Sequence, residues 1–353
     1  METSKILFIL KRRDDYNHEK HTHVGLSTGL FNSATFMSDM LKDCGFESNI
    51  AVVVDNNDID RAVTKYKPTH VVIEALWVVP PKFSVLCTLH PTVKWIIRLH
   101  SEIPFLANEG MAFDWLGDYI GFENIIIGVN APRALREVRY FLKSKLNCSD
   151  HVINKRVVYL SNYYPDTFSR KKFDRNKDFI NVSCFGAIRP LKNHVLQALA
   201  AIKFADKIGK KLKFHINSGR IEQSGNSVLS NLKSIFTHLH ANGHELINHE
   251  WAPRDEFLTI CKTMDIGMQV SISETFNIVG ADIISQGVPL VGSSEIPWAN
   301  PLFNAKSVES ERIYESLLLA YYLPNLNVAS NQLFLKLYVN KTKKIWTKFF
   351  KAK

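Results

Sequence analysis

The segment SISETFNIVGADIISQGVPLVGS (271–293) concentrates residues able to bind a phosphorylated sugar. It begins where the apolar run DIGMQVS (265–271) ends, and that run reads as a buried strand. Glu274 and Asp282 stand eight residues apart, roughly two helical turns. A loop-to-helix transition near Phe276 leaves the backbone N–H groups of Phe276, Asn277 and Ile278 open to a ligand, which suits phosphate. The carboxylates can accept hydrogen bonds from sugar or ribose hydroxyls. A second reading of Glu274 stays open on spacing alone: an acid that stabilises a helix start.

Three other places offer chemistry. FGAIRPLKNH (185–194) carries Arg189 and Lys192 just after a glycine-ending strand. They are either surface cations around Pro190 or partners for a leaving diphosphate, whose growing charge cationic side chains neutralise. RLHSE (98–102) ends another apolar run with His100, a ligand contact or a hydrogen-bonded structural histidine. HVGLSTGLFNSATFM (23–37) has Gly25 and Gly29 around Ser27, where the backbone can approach a phosphate or sugar. It lacks the dinucleotide-binding glycine pattern. Its G-x-S-x-G letters follow the first strand and not a central-strand elbow, which disfavours a hydrolase. His18, His21 and His23 lack a further Cys or acid at ligand spacing, so no metal is expected and the loop reads as solvated. Asp58-Ile59-Asp60 follows a strand, but one such tripeptide is a weak metal signal.

These residues need a scaffold. Six β-branched runs punctuate the N-terminal half: 5–10, 49–55, 70–76, 94–100, 124–130 and 156–162. Several are nearly all apolar, which suits parallel strands buried on both faces. Helical stretches such as 33–45 lie between them, so the pattern is a doubly wound α/β domain. The segment 161–178 is polar, basic and broken by Pro165, as linkers are. A second α/β series follows, with strands over 179–188, 211–217, 244–251, 265–271 and 288–293. The expectation is an α/β protein of two Rossmann-like domains facing across a cleft, 1–162 and 163–325, followed by a basic aromatic helix over 326–353.

With 353 residues the chain is long enough for two cores. No run approaches the ~18 apolar residues of a membrane span. Five scattered cysteines fit free thiols in a reducing cytoplasm. The net charge is +10, and the chain after Glu315 has seven lysines and no acid. Such a tail can face DNA or a membrane surface; a solvated helix face is the plainer reading. Its irregular stripe of Phe334, Tyr338, Ile345, Trp346 and Phe349 suits packing back on a domain, with a membrane surface as the alternative.

The segment 271–293 resembles the signature of GT-B glycosyltransferases of the retaining family-four type. Glu274, Phe276, Gly287, Pro289 and Val291 fall in register with its E-x7-E pattern. The resemblance implies that Glu274 holds the donor sugar and acts in catalysis, and that Asp282 holds the ribose. Asp282 replaces a longer Glu, and Asn277 a usual Gly. FGAIRPLKNH resembles the family's diphosphate-clamping loop, with Lys192 in place and Arg189 displaced by two positions. The family places a sugar-approaching His at His100, and a glycine-rich loop between donor and acceptor at Gly25, Ser27 and Gly29. LSNYYPDTF (160–168) resembles the family's linker start through Asn162, Asp166 and Phe168.

The implied activity is transfer of a hexose or pentose from a nucleotide diphosphate sugar, with retention and no cofactor beyond the donor. The segments 23–37 and RLHSEIPF (98–105) are also similar to glycosyltransferases of tailed phages. With the basic balance, that makes hydroxymethylated pyrimidine in DNA the first expected acceptor, acting in the host cytoplasm. The alternatives are a lipid-linked or polysaccharide acceptor at a membrane, or a sugar-nucleotide binding module without catalysis.

Overall fold

A computed structural model of the chain describes residues 4–12, 16–17, 22–23, 28–147 and 149–351. The chain divides into two compact units: Met1–Pro165 with Val339–Lys353, and Asp166–Tyr338.

The first unit runs β1 (Lys5–Lys11), the short antiparallel pair β2 (Tyr16–Asn17) and β3 (Thr22–His23), α1 (Thr28–Asp43), β4 (Glu47–Val53), α2 (Asp58–Tyr66), β5 (His70–Glu74) and α3 (Lys82–Leu89). It continues with β6 (Lys94–Leu99), α4 (Ile103–Leu106), α5 (Ala112–Ile120), β7 (Ile125–Val129), α6 (Pro132–Leu146), α7 (Asp150–Arg156) and β8 (Val157–Tyr159). Six parallel strands stand in the order β4-β1-β5-β6-β7-β8. All six expected runs form strands, because helices cover the sheet and bury residues such as Phe8, Ile73, Trp95, Ile96 and Ile127.

The second unit runs β9 (Phe179–Ser183), α8 (His194–Lys207), β10 (Lys211–Asn217), α9 (Gly225–Leu239), β11 (Glu245–His249), α10 (Arg254–Thr263), β12 (Ile266–Gln269), α11 (Ile278–Ser285), β13 (Leu290–Ser293), β14 (Asn304–Ala305) and α12 (Ser310–Tyr322). Its six parallel strands stand in the order β11-β10-β9-β12-β13-β14. β14 has two residues, too few for a periodic signal, and no run in the sequence marks it. One apolar cluster, with Val182, Phe204, Phe214, Ile266 and Leu317, fills this unit.

In each sheet the strand order reverses beside the first strand, between β1 and β5 and between β9 and β12. In open parallel sheets ligands bind at that switch point, outside the carboxyl ends of the strands. The loops after β9 and β12 are 184–193 and 270–277, where Lys192 and Glu274 lie.

The closing helix α13 (Pro324–Lys351) begins earlier than the aromatic stripe suggests. Asn327 exchanges hydrogen bonds with the Leu290 backbone at 2.8 and 2.9 Å. Further on, Trp346 is fully buried and donates to the Ser161 carbonyl at 2.8 Å. Phe350 is buried against Phe46 and His70. Packing therefore holds the Trp346 and Phe350 rings within the first unit, so the membrane-surface alternative would have to rest on other residues of the helix. Their rings satisfy the core, whereas Leu326, Leu333 and Leu337 stay exposed. No described helix is long and apolar enough to cross a membrane.

Candidate functional site

Gln269, at the end of β12, holds the switch point of the second sheet together. Its amide donates to the Phe185 carbonyl at 2.8 Å, in the loop after β9. Its oxygen accepts from Asn277 Nδ2 at 2.9 Å, in the loop after β12. The two loops are joined again by Ile272 N–H to the Leu191 carbonyl at 2.9 Å, and by Gln197, whose oxygen accepts the Val270 N–H at 2.8 Å. Asn193, the left-handed residue before α8, donates to the Val308 carbonyl at 3.0 Å. The side chains of Gln269, Asn277, Gln197 and Asn193 are buried, where an unpaired amide would cost ~1–3 kcal/mol. The network thus fixes the loops that carry the expected donor residues.

On this frame Lys192 and Glu274 form a largely buried ion pair. Two residues far apart in sequence meet where each was expected to face one ligand. Glu274 does not support the helix start. That task belongs to Asn277, whose side-chain oxygen accepts the Gly280 N–H at 2.7 Å and caps α11. Asn277 has φ +61°, a left-handed conformation that glycine adopts freely and asparagine tolerates best among the rest. The replacement of the usual glycine therefore keeps the backbone turn and adds a cap. The cap engages Gly280 and leaves the amides of Ile278 and Val279 in the first turn without a helical acceptor. Phe276 is buried against Trp298 and Tyr338, and its carbonyl accepts from Trp298 Nε1 at 2.6 Å. Its side chain belongs to the core.

The other two donor candidates lie in separate pairs. Arg189 contacts Glu222 at 2.8 Å, and Arg220 shares that carboxylate. Burial pushes the Glu222 carboxyl up, but the two guanidiniums outweigh it and hold it below its usual range. Asp282, buried on α11, meets Arg254 at 2.5 Å, at the start of α10. Glu222 and Arg254 had no motif to mark them; each is visible only once the fold places it. His194 opens α8 beside Lys192 and Arg189. Burial, then those two charges, push its pKa down to about 3, so it is neutral.

In the first unit, His100 follows β6 and donates or accepts through Nε2 at Glu74, the last residue of β5. Glu74 also takes Arg98 Nη1 at 2.9 Å, and both are fully buried. Burial raises the Glu74 carboxyl, but Arg98 and His100 hold it ionised; His100 Nε2 then carries the proton. Burial outweighs Glu74 in the net effect on His100, whose pKa is lowered. Arg98 also bonds Asn162 and lies over the Trp346 ring at 5.2 Å. Ala75, next to Glu74, has φ +72°, a strained conformation of the kind found at functional sites. Of the glycine-rich segment, Gly25 and Ser27 lie outside the described residues, as do His18 and His21. Gly29 was expected in a loop; it sits in the first turn of α1, where the helix tolerates glycine. Asp58 and Asp60 open α2, and Asp60 meets His90 at 2.8 Å. Among the described residues no group of three His, Cys, Asp or Glu is placed to hold a metal. The described cysteines, Cys44, Cys87, Cys184 and Cys261, are free thiols.

No family profile and no curated protein sequence matches the chain. Solved structures do. The UDP-forming α,α-trehalose-phosphate synthase of Burkholderia xenovorans superposes with a TM-score of 0.70 at 11% identity, covering 99% of this chain and 98% of that one. The E. coli trehalose-6-phosphate structure with UDP-2-fluoro glucose bound gives 0.68 at 10% identity over 98% of both chains. Anabaena HepE in complex with UDP gives 0.64 at 11% identity, covering 98% of this chain and 99% of that one. The fold is therefore α/β with two Rossmann-like domains, the GT-B architecture.

Proposed function

We propose that the chain is a glycosyltransferase that takes a sugar from a nucleotide diphosphate donor held on its second unit. The observation that carries this reading is the Lys192–Glu274 pair at the β9/β12 switch point, beside the capped start of α11. Solved structures of the same fold are described with UDP and UDP-2-fluoro glucose, which makes a UDP-sugar the first donor to test.

In this reading the diphosphate lies against Lys192 and the α11 amides, with Glu274 on the sugar hydroxyls. Donor binding then draws Lys192 toward phosphate and frees Glu274 for the sugar. As the bond from the anomeric carbon to the diphosphate oxygen breaks, charge grows on the leaving group, and Lys192 stabilises it. The acceptor oxygen bonds to the same face of that carbon and its proton passes to the departing phosphate, which gives retention. Asp282, with Arg254, faces the ribose. Arg189 is held by Glu222 and is the weaker candidate for the diphosphate. Neutral His100, with its Nε2 proton directed at Glu74, has only Nδ1 left, which can accept a hydrogen bond from a sugar hydroxyl.

For the acceptor, hydroxymethylated DNA draws support from resemblance and net charge, and a lipid-linked acceptor from the exposed face of α13. Incubation with UDP-, GDP- and ADP-sugars is the direct test of donor chemistry. Slow release of nucleoside diphosphate is expected. Nucleotide affinity with no release from any donor would leave a binding module instead.

A further inference from the structure

The outer face of α13 carries three leucines in line and then three lysines in the same line. Leu326, Leu333, Leu337, Lys344, Lys348 and Lys351 are spaced by seven, four, seven, four and three residues, which keeps them on one helix face. Leu326, Leu333 and Leu337 are 50–59% exposed, and the lysines are exposed. The opposite face, with Asn331, Leu335, Thr342, Trp346 and Phe350, is the buried one. The fold therefore already has its apolar contact with this helix through the opposite face, and each outer leucine leaves half or more of its surface to solvent. Phe334 is exposed beside them, and no acid occurs anywhere on the helix.

We propose that this face docks on an anionic lipid surface. The charge is of the right sign, and the leucines decide between partners. Lysines alone would serve a nucleic-acid backbone equally well, but a leucine row against phosphates gains nothing. At a bilayer interface the same row enters the acyl boundary while lysines meet the head groups. The helix would lie along the surface over about 37 Å from Leu326 to Lys351, at ~1.5 Å per residue. The inference is independent of the sugar-transfer reading and brings the chain to the place where a lipid-linked acceptor would be met.

Flotation of the full chain with phosphatidylcholine vesicles, with and without phosphatidylglycerol, tests it. The wild type should float with the anionic vesicles. The double variant Leu333→Ser, Leu337→Ser and the triple variant Lys344→Gln, Lys348→Gln, Lys351→Gln should each lose about tenfold or more in affinity. All altered positions are exposed, so both variants should melt like the wild type. Equal binding by the leucine variant, or no binding by the wild type, would overturn the proposal. So would tight binding to duplex DNA that ignores the leucines, with no vesicle binding. Nucleoside diphosphate release, followed in the same samples, reports separately on the donor site and should be the same in wild type and both variants.

Discussion

Asn277 combines two roles that usually fall to different residues. A left-handed φ favours glycine, and a helix cap favours a side-chain acceptor; asparagine provides both. Asn277→Gly should therefore lose only the cap and the Gln269 contact, about 1 kcal/mol. Asn277→Ala loses these and adds left-handed strain, and should cost about 2–3 kcal/mol. Urea denaturation of the three proteins checks the order, and equal losses would deny the cap this role. Lys192→Ala should weaken donor binding by ~1.5–3 kcal/mol, the range for a charge-assisted hydrogen bond, as measured by calorimetry with a nucleoside diphosphate. Wild-type affinity would remove Lys192 from the site. Motif position singles out Lys192 and Glu274 as candidates in the sequence. It left hidden that they touch each other, because that contact depends on Gln269 and Gln197 drawing two loops together.

At the scale of elements, long apolar runs were readable and short or partnered features were not. The eleven expected strands appear because parallel strands buried on both faces must be apolar throughout. β14, with two residues, escapes any periodicity. The closing helix shows the other limit. Its aromatic residues could face a core or a bilayer, and only packing decides. Trp346 fills the space beside Arg98 and donates to Ser161, so Trp346→Ala should cost ~3–5 kcal/mol. Exposed Leu337→Ala should cost less than ~0.5 kcal/mol. Thermal melts of the two variants should separate accordingly, and a small shift for Trp346→Ala would mean that the helix end is dispensable.

For the whole molecule, buried neutral histidines set the response to pH. Burial and nearby cations push His194 to about 3, burial and Lys94 push His70 to about 4, and burial, His249 and Lys213 push His215 to about 4. Each folded pKa lies below the ordinary value of about 6.5, so the unfolded chain binds protons first as pH falls. Their contribution is present above about pH 6.5 and is lost as pH falls from there through about 4 and then 3. Urea midpoints should decline on acidification across that window; a rise would contradict the neutral assignment. At this scale too belongs the proposed holding and cleavage of a nucleotide sugar at the β9/β12 switch point. The most direct measurement is nucleoside diphosphate release by wild type and Glu274→Gln, with nucleotide-induced thermal shifts recorded on both. Release by the wild type, a nucleotide-dependent rise in its melting temperature, and about a hundredfold slower release by the folded variant are expected. Silence from the wild type with every donor and no thermal shift, or equal release by the two proteins, would contradict it.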